Sequence, residues 1–118
     1  MKKSALFLIA GGLLCALPAL AAGDADNGEK LYKVYCTQCH GIHANGKGIN
    51  IADMAVLPRD HTDTAEMSAR TDADLTKAIK HGGKAVNKSV LMPAWEANIN
   101  DQQVADLVAY LRKICCTP

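Results

Sequence analysis

The pentapeptide Cys36-Thr37-Gln38-Cys39-His40 is the feature that most restricts what this chain can fold into. Because two residues separate the thiols, both sulfurs can reach the two vinyl groups on one edge of a porphyrin and form thioethers. The adjacent histidine then lies under the ring, where its imidazole can bind iron. The motif therefore predicts one covalently attached c-type haem, held by Cys36, Cys39 and His40.

Other roles for the cysteine pair fit the sequence less well. In thioredoxin-like proteins a strand precedes the Cys-x-x-Cys pair and a helix follows it, whereas here the pair ends a helical stretch and runs into a glycine-rich loop. A zinc site would need a second spaced pair, and Cys115-Cys116 lacks that spacing. A structural disulfide between Cys36 and Cys39 is a further alternative, and it predicts a protein without haem.

Residues 1–22 have the layout of a secretory signal peptide. Two lysines follow Met1, residues 5–14 carry no polar side chain, and an Ala-x-Ala pattern ends at Ala21. The apolar centre is too short for a bilayer span, so a retained anchor is less favoured. We predict export to the periplasm and a mature domain of residues 23–118.

The composition of that mature chain excludes several classes of protein. Removing 22 of the 118 residues leaves 96, with 11 basic and 12 acidic side chains and a formal charge of −1. This charge excludes a nucleic-acid binder driven by a positive surplus. No second apolar span remains, so the mature domain is predicted not to span a membrane. Only four aromatic residues remain, which is few for a small core, so a bound group is expected to supply apolar surface.

The rest of the chain is predicted to be all-α. Residues 25–36 are helix-permissive behind an acidic cap, and a second helix begins after Thr71 and ends at Gly82-Gly83. Residues 41–70 are rich in Gly, Asn, Asp and Pro, so we predict that they are mostly loop, with a short turn of helix around residues 51–54.

The last helix has the clearest pattern. Asn100 caps it, Gln103 closes a capping box, and Ile99 is placed to pack against Val104. Apolar residues then recur with helical spacing on one face: Val104, Leu107, Val108, Leu111 and Cys115.

The order of these features resembles that of small bacterial class I cytochromes c over essentially the whole mature chain. The resemblance implies a cytochrome c fold, a small helical domain around one haem with crossed N- and C-terminal helices. In that family a glycine and an aromatic residue on the first helix face an aliphatic and an aromatic residue on the last. Gly28 and Tyr32 match the first pair, and Leu107 and Tyr110 match the second.

The resemblance also implies the second axial ligand. In the family this ligand is a methionine followed by proline, late in the chain and just before the last helix, and Met92 matches in type and place. Met54 and Met67 are alternatives because methionine also fills cores. The remaining alternatives are ligation by His81, ligation by Lys88 and an open iron site.

Further roles around the haem follow from the same resemblance. In the family a proline carbonyl accepts a hydrogen bond from the ligating imidazole, and Pro58 is the candidate. Trp95 and Arg59 are candidates for contact with the propionates. The alternative for Trp95 is core packing, and the alternative for Arg59 is a surface position. His61, like His43, is interpreted as a solvent or propionate-side group.

With both axial positions taken by the protein, the predicted function is one-electron transfer, not enzymatic catalysis. A haem enzyme or gas sensor, in which Met92 does not bind iron, is the alternative from another class. Four lysines occur between Asp74 and Glu96 without an intervening acidic residue, and they are predicted either to steer the protein onto an acidic redox partner or to be a solvated helix face: Lys77, Lys80, Lys84 and Lys88.

The cysteines at the end of the last helix are not explained by the resemblance. Cys115 continues its apolar face and Cys116 points outward. In an oxidising compartment we expect either a vicinal disulfide or an intermolecular bond through Cys116, so that the protein is a monomer or a disulfide-linked dimer. Burial of Cys115 as a small hydrophobic residue is the alternative.

Overall fold

The computed structural model describes residues 21–117, so the predicted signal peptide lies outside the described residues except for its last two alanines. Within this range no residue is in a strand, which confirms the all-α prediction. The same range contains no helix long and apolar enough to cross a membrane. The α-helices are α1 (Ala25–Tyr35), α2 (Thr37–His40), α3 (Thr64–Ser68), α4 (Asp72–His81) and α5 (Asp101–Cys116), and a 3₁₀ helix spans Gly83–Val86.

The predicted helix caps are present. The Asp24 carboxylate accepts hydrogen bonds from two main-chain N–H groups at the start of α1. Thr71 and Asp74 form a capping box at the start of α4, and Asn100 and Gln103 form another at the start of α5. Each cap satisfies N–H groups that have no partner inside the helix, which is why these ends were readable from the sequence.

The first and last helices cross at the position that the resemblance implies. A β-carbon on Gly28 would lie 2.0 Å from the carbonyl oxygen of Asp106, so only glycine lets the two backbones approach this closely. One helical turn later the Tyr32 ring packs on Tyr110, with centroids 5.2 Å apart. Leu107 is buried beside them.

A buried carboxylate ties the N-terminal segment to α5. Asp106 is 4% exposed. It accepts hydrogen bonds from the Asp24 main-chain N–H at 2.8 Å, from the Asn27 amide at 2.6 Å and from the Gln102 amide at 3.1 Å. Burial alone would raise the pKa of this carboxyl, but the three donated bonds together hold it below its ordinary value.

Residues 41–70 are mostly loop, and the Met54 N–H donates to the Ile51 carbonyl at 3.0 Å, which forms one turn at the predicted place. Helix α3, which lies in the same segment, was not predicted. The Asp63 side chain caps α3 by accepting from the Glu66 N–H, and Met67 is fully buried beneath the helix. Burial of this methionine stabilises a segment whose composition favours a loop.

The C-terminal cysteines form a disulfide with each other. This is the first of the two expected arrangements, and it leaves neither sulfur for an intermolecular bond. Cys115 is buried on the predicted apolar face of α5, while Cys116 is half-buried. The Thr64 hydroxyl donates to the Cys115 carbonyl at 2.6 Å, so α3 packs over the end of α5.

Candidate functional site

One large cleft contains the four residues predicted to hold the haem. It has a volume of about 950 Å³, and Cys36, Cys39, His40 and Met92 all line it. The Cys-x-x-Cys-His motif comes from the α1–α2 junction, and Met92 comes from the segment that follows the 3₁₀ helix. The fold therefore brings together two parts of the chain that are distant in sequence.

The motif lies where α1 is followed by α2. Helix α1 ends at Tyr35 and α2 begins at Thr37, with Cys36 between them. Neither motif cysteine is in a disulfide. Burial, with a smaller effect from Cys39, raises the pKa of the Cys36 thiol to about 12. A thioredoxin-like pair needs a thiol of lowered pKa, so this environment does not fit that alternative.

The glycine-rich loop after the motif binds back onto α2. The main-chain N–H of Gly46 donates to the His40 carbonyl at 2.8 Å, and that of Gly48 donates to the Cys39 carbonyl at 3.0 Å. These bonds satisfy carbonyls that the short helix leaves without partners. A β-carbon on Gly48 would lie 2.2 Å from the Gln38 carbonyl oxygen, so glycine is required for this close contact.

The His40 imidazole is oriented by a carbonyl, but not by the one predicted. Its Nδ1 lies 3.1 Å from the carbonyl oxygen of Arg59 and donates to it, which leaves Nε2 free for a metal. The Pro58 carbonyl instead packs against Gly46, where a β-carbon would lie 2.5 Å from it. The Ala44 carbonyl also accepts from the His61 N–H at 2.7 Å, so the loop after the motif lies against the segment that contains Arg59.

His61 lies beside His40 and is half-buried at the cleft, so it is not a freely solvated side chain, and its placement relative to a propionate stays a prediction. The two imidazole rings stack with centroids 4.1 Å apart and planes 18° apart. The Nδ1 of His61 is hydrogen-bonded to the Tyr32 hydroxyl at 2.9 Å. Burial, together with the charges of His40 and Arg59, lowers the pKa of His61 to about 3, so its ring is neutral at ordinary pH.

The Met92 segment is attached to the end of α4. The Gly83 N–H donates to the Met92 carbonyl at 3.0 Å, and the Trp95 N–H donates to the Ile79 carbonyl at 3.1 Å. A β-carbon on Gly82 would lie 2.7 Å from the Met92 carbonyl oxygen. The glycine pair therefore does more than end the helix, because it also allows the Met92 backbone to pack closely.

The alternatives to Met92 as the second iron ligand differ in whether they line the cleft. Met67 is fully buried in the core, and His81 is exposed and paired with Glu96 at 3.3 Å. Neither of them lines the cleft, whereas Met54 and Lys88 do.

The candidates for propionate contact also lie at the cleft. Trp95 lines it and packs on Tyr35, with ring centroids 5.1 Å apart. Arg59 lines it too, and its guanidinium is paired with Glu66.

The predicted lysine cluster is divided in the structure. Lys77 and Lys88 line the cleft, whereas the Lys80 ammonium forms an ion pair with Asp101 at 2.6 Å and does not line it. Four acidic residues line the cleft as well: Asp60, Asp63, Glu66 and Asp74. The rim therefore carries both signs of charge and not a uniform positive patch.

These residues fit a covalently bound haem. Two thiols that are not bonded to each other, an imidazole whose Nε2 is free and a thioether all line one cleft with apolar walls. In a c-type haem two cysteine thiols form thioethers with the porphyrin vinyl groups, and imidazole and a methionine thioether are ligands that bind the iron.

Comparison with known proteins gives relatives of the same kind. A family model described as cytochrome C oxidase, cbb3-type, subunit III matches residues 23–111. A nicotinate dehydrogenase subunit from Pseudomonas putida is 33% identical over 106 residues, which are 82% of this chain and 8% of that protein. Cytochrome c-554(547) of Halothiobacillus neapolitanus is 30% identical over 90 residues, which are 76% of this chain and 96% of that protein.

A solved structure shows the same fold. The KustC0563 c-type cytochrome is 22% identical and superposes with a TM-score of 0.59, over 75% of this chain and 96% of its own. The crossed terminal helices, the cleft and the matches in sequence agree, and the chain belongs to the cytochrome c family as a small class I-like member.

Proposed function

We propose that this protein is an exported one-electron carrier with a single covalent haem. Cys36 and Cys39 form the thioethers, and His40 and Met92 are the axial ligands. The observation that carries the proposal is that all four side chains line one cleft, with the His40 Nδ1 held by the Arg59 carbonyl. The haem iron supplies the one-electron change when bound, and the protein supplies its ligands and its surroundings.

The way the two ligands are held supports electron transfer over enzymatic catalysis. His40 is oriented by a main-chain carbonyl, and Met92 is attached to α4 through Gly83. Two protein ligands would leave the iron no free position for a substrate, and ligands held by the main chain would limit structural change between the two oxidation states. Methionine as the partner of histidine raises the reduction potential.

The proposed location is the periplasm. Residues 1–22 have the layout of a signal peptide. The disulfide between Cys115 and Cys116 supports the same location, because disulfides persist in oxidising compartments.

The proposed partners are other redox proteins. The matching family model and the Pseudomonas relative are both named as subunits of oxidoreductases, and this chain spans only 8% of that relative. We propose that the carrier exchanges electrons with such a protein at the rim of the cleft, where Lys77 and Lys88 contact an acidic surface.

The absorption spectrum of the haem-loaded protein tests this function. The protein is matured in an oxidising compartment with haem-attachment machinery, and the Met92→Ala variant is compared with Met54→Ala. Both methionines line the cleft, so the second variant is a matched control. We expect the weak near-infrared sulfur-to-iron band of the oxidised protein to be lost in Met92→Ala and retained in Met54→Ala.

Two results would contradict the proposal. High-spin iron, or ready carbon monoxide binding by the unaltered protein, would favour a haem enzyme or gas sensor. An intact mass without added haem would favour a structural role for Cys36 and Cys39.

A further inference from the structure

We propose that His61 is a positioning residue that sets the orientation of the His40 imidazole plane. This inference rests on the proposed role of His40 as an iron ligand. Its basis is the parallel stack of the two rings, with centroids 4.1 Å apart and planes 18° apart. Both side chains line the cleft, so the stack lies at its wall.

The hydrogen bond to the Arg59 carbonyl does not by itself fix the orientation of the His40 ring plane. A bond from Nδ1 fixes the tautomer and holds one point of the ring. At 3.1 Å it is at the long end of the usual range, so it resists tilting of the ring only weakly. A flat ring against the His40 face opposes this tilt directly, since any rotation out of plane drives the two rings into contact.

His61 is itself held from two sides. Its main-chain N–H donates to the Ala44 carbonyl at 2.7 Å, and its Nδ1 is bonded to the Tyr32 hydroxyl at 2.9 Å. Tyr32 also meets the His61 ring edge-on, with centroids 5.8 Å apart. Because Tyr32 is 2% exposed and packs on Tyr110, the support reaches back to the crossing of α1 and α5.

The orientation of an axial imidazole plane determines which iron orbital it overlaps. The distribution of unpaired spin over the oxidised haem depends on that overlap, and the proton NMR shifts of the haem methyl groups report it. A change in this pattern is therefore a readout of ring orientation that a loss of stability alone does not produce.

The test compares His61→Leu with His61→Phe in the oxidised, haem-loaded protein. Leucine has similar volume and no flat face, whereas phenylalanine keeps the flat face and lacks the ring nitrogen. We expect His61→Leu to change the order or spread of the haem methyl shifts and to shift the midpoint potential. We expect His61→Phe to keep the pattern of the unaltered protein. The control His43→Leu, at an exposed histidine, should also keep it.

The outcomes separate a failure of the positioning role from a failure of the proposed function. An unchanged pattern in His61→Leu, or equal changes in the Leu and Phe variants, would overturn the positioning role. If His61→Leu yields no folded haem protein, the Phe variant decides, because an altered pattern there also overturns it. Absence of haem, or of the sulfur-to-iron band, in the unaltered protein would instead overturn the proposed function.

Discussion

The α-carbon of Gly28 faces the main-chain carbonyl of Asp106 at the crossing of the first and last helices. A β-carbon at position 28 would lie 2.0 Å from that oxygen and 2.8 Å from the Tyr110 β-carbon. Both obstacles are atoms of α5 close to its backbone, so they cannot be relieved by rotation of a flexible side chain.

Gly28→Ala is therefore expected to destabilise the haem-loaded protein. The helices must separate to admit the methyl group, at a cost of about 1–3 kcal/mol. The midpoint of thermal unfolding, followed by circular dichroism, should fall by roughly 4–8 °C for each kcal/mol. Lys30→Ala, at an exposed position of α1, is the control and should change the midpoint little. Equal midpoints for the two variants would contradict the close packing.

Gly83→Ala is expected to weaken the Met92 segment before it weakens the fold. A β-carbon on Gly83 would lie 2.1 Å from the Ser89 carbonyl oxygen and 3.2 Å from the Met92 β-carbon. On heating, the sulfur-to-iron band should disappear at a lower temperature than in the unaltered protein, while the helical signal changes less. Lys84→Ala, at the exposed neighbour, is the control. Joint loss of both signals at one temperature would show that the segment and the fold are a single unit.

Asp106 is expected to contribute a stability that acid removes. Its pKa in the folded protein lies below the ordinary carboxyl value of 3.8, so the contribution is complete above that value and is lost as the pH falls through the lower folded pKa. Asp106→Asn should lower the free energy of unfolding by about 1–3 kcal/mol at pH 7, because an NH₂ group that cannot accept replaces one of the two acceptor oxygens.

The pH series distinguishes this effect from a general loss of stability. The difference between the unaltered protein and Asp106→Asn should be constant from pH 7 to about pH 5 and should shrink below about pH 4. Asp53→Asn, at an exposed loop position, should show no such difference. A difference that persists unchanged in acid would rule out the carboxylate as its source.

The charges at the cleft rim are expected to influence electron transfer to an anion. Because four acidic residues lie at the same rim, the quantity tested is the rate that Lys77 and Lys88 add to stopped-flow oxidation of the reduced protein by hexacyanoferrate(III). This added rate should decrease with rising ionic strength, because salt screens the two lysines. The double variant Lys77→Glu/Lys88→Glu should react about tenfold more slowly at low salt. Lys30→Glu reverses one charge on α1, which changes the net charge by −2 against −4 in the double variant, and serves as the control. An added rate that is independent of salt would remove the steering role.

The parts of the fold that were readable from the sequence depend on local interactions. The caps of α4 and α5 involve residues three positions apart, and the apolar face of α5 follows one helix. Helix α3 has a comparable signal in the spacing of Asp63 and Glu66, but the surrounding composition obscured it. The crossing of the terminal helices was accessible only through the resemblance to a family.

The features that were missed depend on how distant segments align. Nothing near His61 in the sequence distinguishes it from an exposed polar loop residue, and only the packing of its loop brings it to His40. The Arg59 carbonyl accepts from His40, whereas the Pro58 carbonyl one residue earlier packs against Gly46 in another segment of the chain. Asp106 has the sequence context of a solvent-facing residue on an amphipathic helix, and its burial depends on donors about 80 positions earlier.

The two walls of the cleft have unequal mechanical support. On the His40 side, His61 is bonded to Tyr32, which packs at the crossing of α1 and α5. On the Met92 side, the main-chain hydrogen bond between Gly83 and Met92 joins the segment to the end of α4. If His40 and Met92 both bind the iron, we therefore expect the Met92 ligand to be the more easily displaced of the two, because fewer contacts with the rest of the fold hold its segment.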